Sequence, residues 1–278
     1  MRVKILGTAA AEACPAIFCE CENCREIRRK GDPHDVRRRA SYLLDDDTLI
    51  DFGPDAFFQA TTFQIDLTKI QRLLFTHAHL DHQNATELMW RHRGYSQCTK
   101  SLKVFGSHYT LGILLSRLTA EGESISFDEV LVEPVALRAY QPVTDDDLEI
   151  LPLEADHAPG KVPLLYLLTR GGKTLLVGND TGFFLPETWK QLEGKHIDIA
   201  LLDSTSSLKY ANQERGHMGA ATVVKVAERL RAMGCTDDTS RLVATHFSHN
   251  GGSIHTELEA FFAPHHIEVA YDGLILEA

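Results

Sequence analysis

The chain contains a run of histidine and aspartate residues that follows a short apolar segment. Four potential metal ligands fall within six residues of this run: His77, His79, Asp81 and His82. Imidazole and carboxylate groups together suit Zn, Mn, Fe or Co. In a loop that leaves a strand, His77 and His79 can face one metal while Asp81 and His82 turn toward a second. Core packing is a poor explanation for the run, because burying unpaired polar groups costs several kcal/mol.

A second group of potential ligands lies near the N-terminus, where Cys19, Cys21 and Cys24 have the spacing CxCxxC. In a cytosolic protein such clustering favours a metal site over disulfides. Three thiolates are one ligand short of a closed tetrahedral zinc site. Either Cys14, within a zinc-binding loop at 14–24, or His249 in a THFSH segment could supply the fourth ligand. With His249, the zinc would pin this loop to the strand end that carries the active site.

Short apolar runs that end in polar residues predict the strands that must position these groups. We predict strands at 3–6, 42–44, 49–52, 73–76, 102–105, 148–153, 164–169, 174–177, 197–203, 242–245 and 267–270. Helical spacing covers 109–118 and 220–233, and Pro186 is a suitable first residue of a helix. Because no linker divides the chain, we expect one layered α/β domain over 1–278.

Polar residues recur where these predicted strands end. Asp51, His77, Asp180, Asp203 and His246 each lie within a residue or two of such an end. Enzymes built on sheets usually assemble their sites from loops at strand ends. We therefore expect several of these side chains to lie close together.

The composition excludes some classes of protein. Of 278 residues, 44% are hydrophobic and 24% charged, which is ordinary for a globular protein, and the net charge is -11. An acidic protein gains little from counterion release, so nucleic acid is not an expected partner. No apolar stretch is long enough to span a membrane and the N-terminus lacks a signal-peptide core, so we expect a cytoplasmic protein.

One basic patch stands out against the acidic background. It consists of Arg25, Arg28, Arg29, Lys30, Arg37, Arg38 and Arg39. Most charge runs are solvated surfaces, and this is the expected explanation here. The alternative is that one or two of these arginines contact an anionic substrate.

The HxHxDH run after a strand resembles the signature of the metallo-β-lactamase superfamily. The resemblance implies a four-layer αββα sandwich with metals at one edge between the sheets. Asp51 resembles the aspartate that supports the site from behind, and His157 the third histidine of the first metal. Asp180 resembles the carboxylate that bridges the metals, and His246 the last ligand of the second metal.

The resemblance implies a complete ligand set for two divalent metals. It places His77, His79 and His157 on one metal, Asp81, His82 and His246 on the other, and Asp180 between them. Mn and Zn are the expected metals, with Fe as a further option. Two such cations lower the pKa of a shared water, which would act as the nucleophile as a hydroxide. We therefore predict a binuclear metal-dependent hydrolase in which Asp81 and Asp180 are catalytic as well as ligating.

The CxCxxC motif, an early Gly7-Thr8 turn and the THxSH motif together resemble PhnP-type phosphodiesterases, accessory enzymes of the phosphonate carbon–phosphorus lyase pathway. The resemblance implies one structural zinc, separate from the catalytic metals, on Cys19, Cys21, Cys24 and His249. It also implies small phosphodiester substrates, such as cyclic ribose phosphates, and a homodimer. His217 resembles a non-ligand active-site histidine that hydrogen-bonds the phosphate or protonates the leaving oxygen.

Two groups of alternatives stay open at this point. The first is another hydrolase of the same fold: a thioesterase, a lactonase or an RNA 3′-end nuclease. The second is a non-catalytic metal-binding accessory protein of cofactor biosynthesis, because proteins of the pyrroloquinoline-quinone B type resemble the N-terminal cysteine motif. The intact HxHxDH set favours an enzyme. The segments 96–137 and 205–215 contain no recognisable motif, and we expect them to shape the substrate pocket.

Overall fold

The structure, a computed structural model, describes residues 1–121 and 125–278. Within them, fourteen strands, numbered in chain order, form two seven-stranded sheets. The first sheet contains β1 Arg2–Gly7, β2 Ser41–Leu44, β3 Thr48–Ile50, β4 Arg72–Leu74, β5 Leu102–Ser107, β6 Val132–Leu137 and β14 Ile275–Glu277. Its strand order is β14-β1-β2-β3-β4-β5-β6, and the strands from β3 to β6 run parallel.

The second sheet mirrors the first in size. It contains β7 Val143–Asp145, β8 Leu148–Glu154, β9 Leu164–Arg170, β10 Lys173–Gly178, β11 Ile199–Asp203, β12 Arg241–Thr245 and β13 Glu268–Val269. Its strand order is β13-β12-β11-β10-β9-β8-β7, and the strands from β10 to β13 run parallel. Both sheets are therefore mixed, with a parallel half that ends at the loops of the candidate site.

The described residues also form seven α-helices, all but the first of which lie on the outer faces of the two sheets. They are α1 Glu22–Lys30, α2 Ala56–Thr62, α3 Ala85–Met89, α4 His108–Glu121, α5 Pro186–Leu192, α6 Ala220–Ala232 and α7 His255–Phe262. The helices α2, α3 and α4 bury apolar side chains such as Leu88 and Leu114 in one cluster with the first sheet. The helices α5, α6 and α7 do the same on the second sheet, for example through Trp189 and Leu258.

A third apolar cluster fills the space between the sheets. Successive strand side chains point to opposite faces, so Ile50 and Leu74 enter this central core while Leu49 and Leu73 pack toward the helices. The resulting layers are helix, sheet, sheet and helix. The structure confirms the predicted α/β sandwich of two sheets with flanking helices.

Three candidate site residues leave their strands with an unusual backbone conformation. Asp51, Asp180 and His246 have φ angles of 59°, 56° and 61°, in the left-handed region that residues other than glycine seldom adopt. Each lies within two residues of the end of a strand in a parallel part of a sheet. The chain therefore turns sharply there and directs these side chains back over the edge of the sandwich. Strain of this kind is held in place by surrounding contacts.

The strands that the sequence did not predict lie at sheet edges or beside them. β6 and β7 are the last strands of their sheets and β14 is the first of its own. Buried and exposed residues do not alternate regularly along β6, because both Glu133 and Pro134 are exposed. Proline is tolerated mainly in edge strands. In the part of the chain that the structure describes, no helix combines the length and apolar character that a membrane crossing needs.

Candidate active site

Three imidazole nitrogens converge at the edge of the sandwich. The Nε2 atom of His77 lies 2.9 Å from Nδ1 of His79, and Nε2 of His157 lies 3.3 Å from the same atom. His77 follows β4, whereas His157 follows β8 in the other sheet. The structure thus brings together the three histidines that the sequence assigns to the first metal.

The hydrogen bonds on the far side of these rings decide which nitrogens carry protons. The Gly216 carbonyl oxygen, 3.0 Å from Nδ1 of His157, can only accept, so that nitrogen donates. The Thr76 hydroxyl donates to the buried Asp51 carboxylate and therefore accepts from Nδ1 of His77 at 3.0 Å. In a neutral ring with Nδ1–H the Nε2 atom carries the lone pair, so Nε2 of His77 and Nε2 of His157 are the atoms able to bind a cation beside His79. A cation held by all three nitrogens satisfies this arrangement, as in metal sites whose histidines are oriented by outer hydrogen bonds.

The titration behaviour of these rings agrees with a ligand role. Burial is the largest cause that lowers the pKa of His77 well below its ordinary value, and repulsion from His82 adds to it. Burial also lowers the pKa of His79, followed by repulsion from His157. Both rings are therefore neutral near pH 7, and neutral imidazole is the form that binds metals.

The second group consists of Asp81, His82 and His246, whose ligand atoms all lie within 4.8 Å of one another. Nδ1 of His82 lies 2.7 Å from the Asp51 carboxylate, which orients the ring. Within the described residues, the buried Nε2 atoms of His82 and His246 form no hydrogen bond of acceptable geometry. Buried polar atoms without partners are rare. A cation shared by these groups would satisfy both.

Asp180 lies between the two groups. Its Oδ2 is 3.2 Å from Nε2 of His82 and 3.0 Å from Nε2 of His246. Its Oδ1 faces the first group, at 4.0 Å from His77 and 3.9 Å from His157. Burial opposes ionisation, but His246 and His82 outweigh it and hold the pKa of Asp180 well below its usual range. The geometry is that of a carboxylate able to give one oxygen to each of two cations.

Asp203 is the main site residue that the sequence reasoning noted without assigning a role. Its fully buried carboxylate accepts from the Asp180 backbone N–H and from the Thr205 hydroxyl, each at 3.0 Å. Nδ1 of His246 contacts the same hydroxyl at 2.8 Å, so Asp203 orients this ligand through Thr205. A carboxylate at the end of β11 was the available signal. Its partners could not be read from the sequence.

Asp203 also contacts His217. Its Nδ1 lies 3.0 Å from Asp203, and its ring centre is 4.7 Å from that of His157. Burial opposes protonation, but the Asp203 charge outweighs it and raises the pKa of His217 to about 9. Bound divalent cations would lower this pKa again by repulsion. The structure therefore places His217 beside both ligand groups, with one nitrogen committed to a carboxylate.

The cysteine cluster lies at the start of α1. Nδ1 of His249 is 3.6 Å from Sγ of Cys19 and 3.7 Å from Sγ of Cys21, and the four ligand atoms, including that of Cys24, lie within 4.8 Å of one another. Cys14 is not part of this group, since it is buried with Ala9 and Ile27. Three thiols and one imidazole match a closed tetrahedral zinc site.

The two groups of ligands share one segment of chain. His246 and His249 are three residues apart, and Phe247 between them pairs with the N-terminal segment. The Phe247 N–H donates to the Thr8 carbonyl at 2.8 Å, and the Ala10 N–H donates to the Phe247 carbonyl at 3.0 Å. A displacement of the cysteine loop would therefore be transmitted to the end of β12.

The chain also matches known proteins in sequence. A sequence profile described as the beta-lactamase superfamily domain matches residues 47–247, which include both ligand groups of the candidate active site. The chain belongs to this superfamily. A curated relative, coenzyme PQQ synthesis protein B from Azoarcus sp. (strain BH72), is 24% identical over 315 aligned residues, covering 99% of each protein.

Two solved structures of superfamily members share the fold over nearly their whole length. One, a new diphosphatase from the PhnP family, has a TM-score of 0.74 at 24% identity, and the match covers 99% of this chain and 97% of that one. The other, Zn²⁺-bound PqqB from Methylobacterium extorquens, has a TM-score of 0.76 at 17% identity and covers 100% of both chains. At these identities the likeness establishes the fold.

The two ligand groups of the candidate active site border a cavity of about 320 Å³. Six of the site residues predicted from the sequence line it: His79, Asp81, His157, Asp180, His217 and His246. The remaining walls come from 10–12, from the 205–215 segment and from 248–251, next to the cysteine cluster. The 205–215 segment therefore forms part of the pocket, as predicted, whereas none of the described residues of 96–137 lines it.

Three arginines of the basic patch make defined contacts within the protein. Arg37 is buried and donates to the Thr8 hydroxyl and the Ala270 carbonyl, so the expectation of a solvated surface is wrong for this residue. Arg38 pairs with Asp272 and Arg39 with Asp55. These three arginines hold the N-terminal segment of the superfamily fold together. None of the seven basic residues of the patch lines the cavity described above.

Proposed function

We propose that the protein is a binuclear metal-dependent hydrolase that cleaves small phosphodiesters. The observation that carries the proposal is the arrangement of seven ligands: two triads of side chains with Asp180 between them, at the edge of one cavity that five of the seven line. Such ligand sets are typical of two-metal hydrolytic sites. The additional cysteine cluster favours a PhnP-type enzyme over other hydrolases of the superfamily.

The proposed cofactors are two divalent cations, Mn or Zn with Fe as a further option, and one structural zinc. The first catalytic cation would be held by His77, His79 and His157, and the second by Asp81, His82 and His246. Asp180 would contribute to both. When bound, the two cations supply a nucleophile from water at neutral pH and neutralise charge on the phosphoryl oxygens.

His217 is suited to the proton transfer that phosphodiester cleavage requires. Asp203 holds Nδ1 of the ring, so the protonated ring can present Nε2–H to the departing alkoxide oxygen. The loss of that proton makes the ring neutral. The fixed hydrogen bond to Asp203 keeps the ring in one orientation throughout, which lowers the cost of positioning it.

The cavity supports a small substrate with a single negative charge. Its volume of about 320 Å³ is at the low end for small-molecule sites. Among the described residues that line it, Ser206, Ser248 and Asn250 offer neutral hydrogen-bonding groups, and no lysine or arginine is present. A long nucleic acid would meet no lysine or arginine in this cavity and no favourable net charge.

A role in cofactor biosynthesis is the second candidate, because PQQ synthesis protein B is among the relatives. The complete ligand set of this chain favours an enzyme over a metal-binding accessory protein. A thioesterase, a lactonase and an RNA 3′-end nuclease are the alternative activities of the same site. A homodimer stays a prediction.

Hydrolysis of bis(p-nitrophenyl) phosphate by protein loaded with Mn²⁺ or Zn²⁺ tests the proposal, with Asp81→Ala as the control. We expect turnover that disappears in Asp81→Ala. A nucleoside diphosphate tested in parallel separates diester from anhydride cleavage. No diester turnover from fully metallated protein, or turnover of the anhydride alone, would contradict the proposed substrate class.

A further inference from the structure

One aromatic side chain at the mouth of the catalytic cavity has no role in packing the core. Tyr210 lines the cavity together with the metal-ligand residues, yet it is 52% exposed. A large exposed aromatic group at a site wall is characteristic of ligand contact rather than of folding.

Hydrogen bonds and a close chain contact fix the backbone of the loop that carries Tyr210. The Tyr210 N–H donates to the Ser206 carbonyl at 3.2 Å, and the Gln213 N–H donates to the Tyr210 carbonyl at 2.9 Å. The chain also returns closely at Gly219, where a Cβ atom would overlap the Tyr210 carbonyl oxygen. The segment is therefore a folded loop tied to the start of α6. A loop of this kind loses little further backbone freedom when its side chain contacts a ligand.

Lys209 marks the border between two cavities. Its ammonium lies 5.3 Å from the centre of the Tyr210 ring, within the range of a cation–π contact. Lys209 lines a neighbouring groove of about 980 Å³, whereas Tyr210 lines the catalytic cavity, and Asn250 lines both. Tyr210 therefore forms part of the wall where the catalytic cavity meets the groove.

We propose that Tyr210 is a specificity-determining residue that stacks on a planar aryl or heteroaryl ring carried by the substrate. The inference rests on the proposed function, since it names the chemical class of the alcohol portion of the phosphodiester. Stacking on an exposed aromatic side chain favours flat rings over aliphatic groups of equal charge. A preference for ring-bearing substrates therefore depends on Tyr210 and not on the metal ligands.

Binding of phenyl phosphate and methyl phosphate to the metal-loaded protein, measured by isothermal titration calorimetry, tests this assignment. The two probes carry the same phosphate group and differ in the ring. We expect phenyl phosphate to bind the wild-type protein about tenfold more tightly. Tyr210→Ala should reduce this ratio to near one, whereas Tyr210→Phe should keep it. Tyr95→Ala removes another exposed tyrosine, outside the catalytic cavity, and should leave the ratio unchanged.

Equal binding of the two probes by the wild-type protein, or no measurable binding of either, would overturn the inference. A ratio that survives in Tyr210→Ala would do the same. Failure of the proposed function gives a different result: phenyl phosphate would be preferred, and the preference lost in Tyr210→Ala, although the wild-type protein hydrolyses no phosphodiester. The two proposals are therefore tested separately.

Discussion

The imidazole–carboxylate cluster and the cysteine cluster are built in different ways. The ligands of the first come from loops after β4, β8, β10 and β12, and hence from both sheets. Those of the second are three residues at the start of one helix and a single histidine from elsewhere. The first cluster depends on the packing of the whole sandwich. The second depends mainly on local chain geometry and on the metal that closes it.

The surroundings of the two clusters differ as well. Asp51 and Asp203, both fully buried, orient histidines of the catalytic cluster from behind. The cysteine cluster lies nearer the surface, where Cys21 is exposed. Three thiolates and one imidazole fill all four positions of a tetrahedral zinc site. The catalytic cluster instead faces a cavity with room for water and substrate. We infer from the comparison that the first cluster is suited to carry chemistry, and that the cysteine cluster, when closed by a metal, would stabilise the chain beside it.

The largest effect should come from the residue between the two catalytic groups. Asp180→Ala should lower kcat by about 10³-fold or more, because both cations lose a ligand and the buried histidines lose their counter-charge. Metal analysis should show loss of the catalytic ions while one zinc per chain stays bound. Circular dichroism checks that the variant is folded. Full activity, or simultaneous loss of the zinc, would break the distinction between the clusters.

A smaller effect is expected when the proton donor is removed and the ligands are left intact. His217→Ala should keep its metals and lower kcat by about 10²–10⁴-fold, the range for a lost general acid. Steady-state kinetics together with metal analysis measure both quantities. His108→Ala, which removes an exposed histidine at the start of α4, is the matched control and should behave as the wild type. Unchanged turnover in His217→Ala would remove this residue from the proposed mechanism.

The smallest effect on catalysis should come from the cysteine cluster. Cys24→Ser should lose the zinc and lower the Tm by about 5–10 °C, because metal binding contributes directly to folding stability. We expect less than about a tenfold loss of kcat, transmitted from His249 to His246 through the intervening residues. Thermal unfolding, metal content and kinetics test this prediction.

Cys14→Ser is the matched control for the cysteine cluster, since Cys14 is buried but lies outside the ligand group. Its side chain packs with Ala9 and Ile27, away from the four ligand atoms. We expect Cys14→Ser to keep its zinc. Loss of zinc in this variant would mean that Cys14, and not His249, completes the site.

Much of the fold could be predicted because buried strands appear in the sequence as short apolar runs. Each predicted strand was an apolar run long enough to recognise, and the helix predicted at 109–118 lies within α4. The strands that were missed have little burial of their own: β6 exposes Glu133 and Pro134, and β14 has three residues. Edge strands are specified by their single neighbour, so their own sequence carries a weak signal.

The candidate site, like the fold, could be predicted only in part from the sequence. The ligand types and the spacing of His77, His79, Asp81 and His82 are visible in the sequence, because six consecutive residues cannot separate far. The contacts of Asp203 could not be predicted, since its partners Asp180 and His217 are 23 and 14 residues away. Those contacts exist because β10 and β11 pair in one register and because α6 follows the loop that carries His217.

The residue types thus established which metals and which chemistry the chain could support. The tertiary structure decided that Asp180 faces both ligand groups, that Cys14 is left out of the cysteine cluster and that Tyr210 lines the cavity. The physical reason is the range of the forces involved. Ligand chemistry and local spacing act over a few residues, whereas the meeting of distant side chains follows from burying the apolar faces of two sheets against each other.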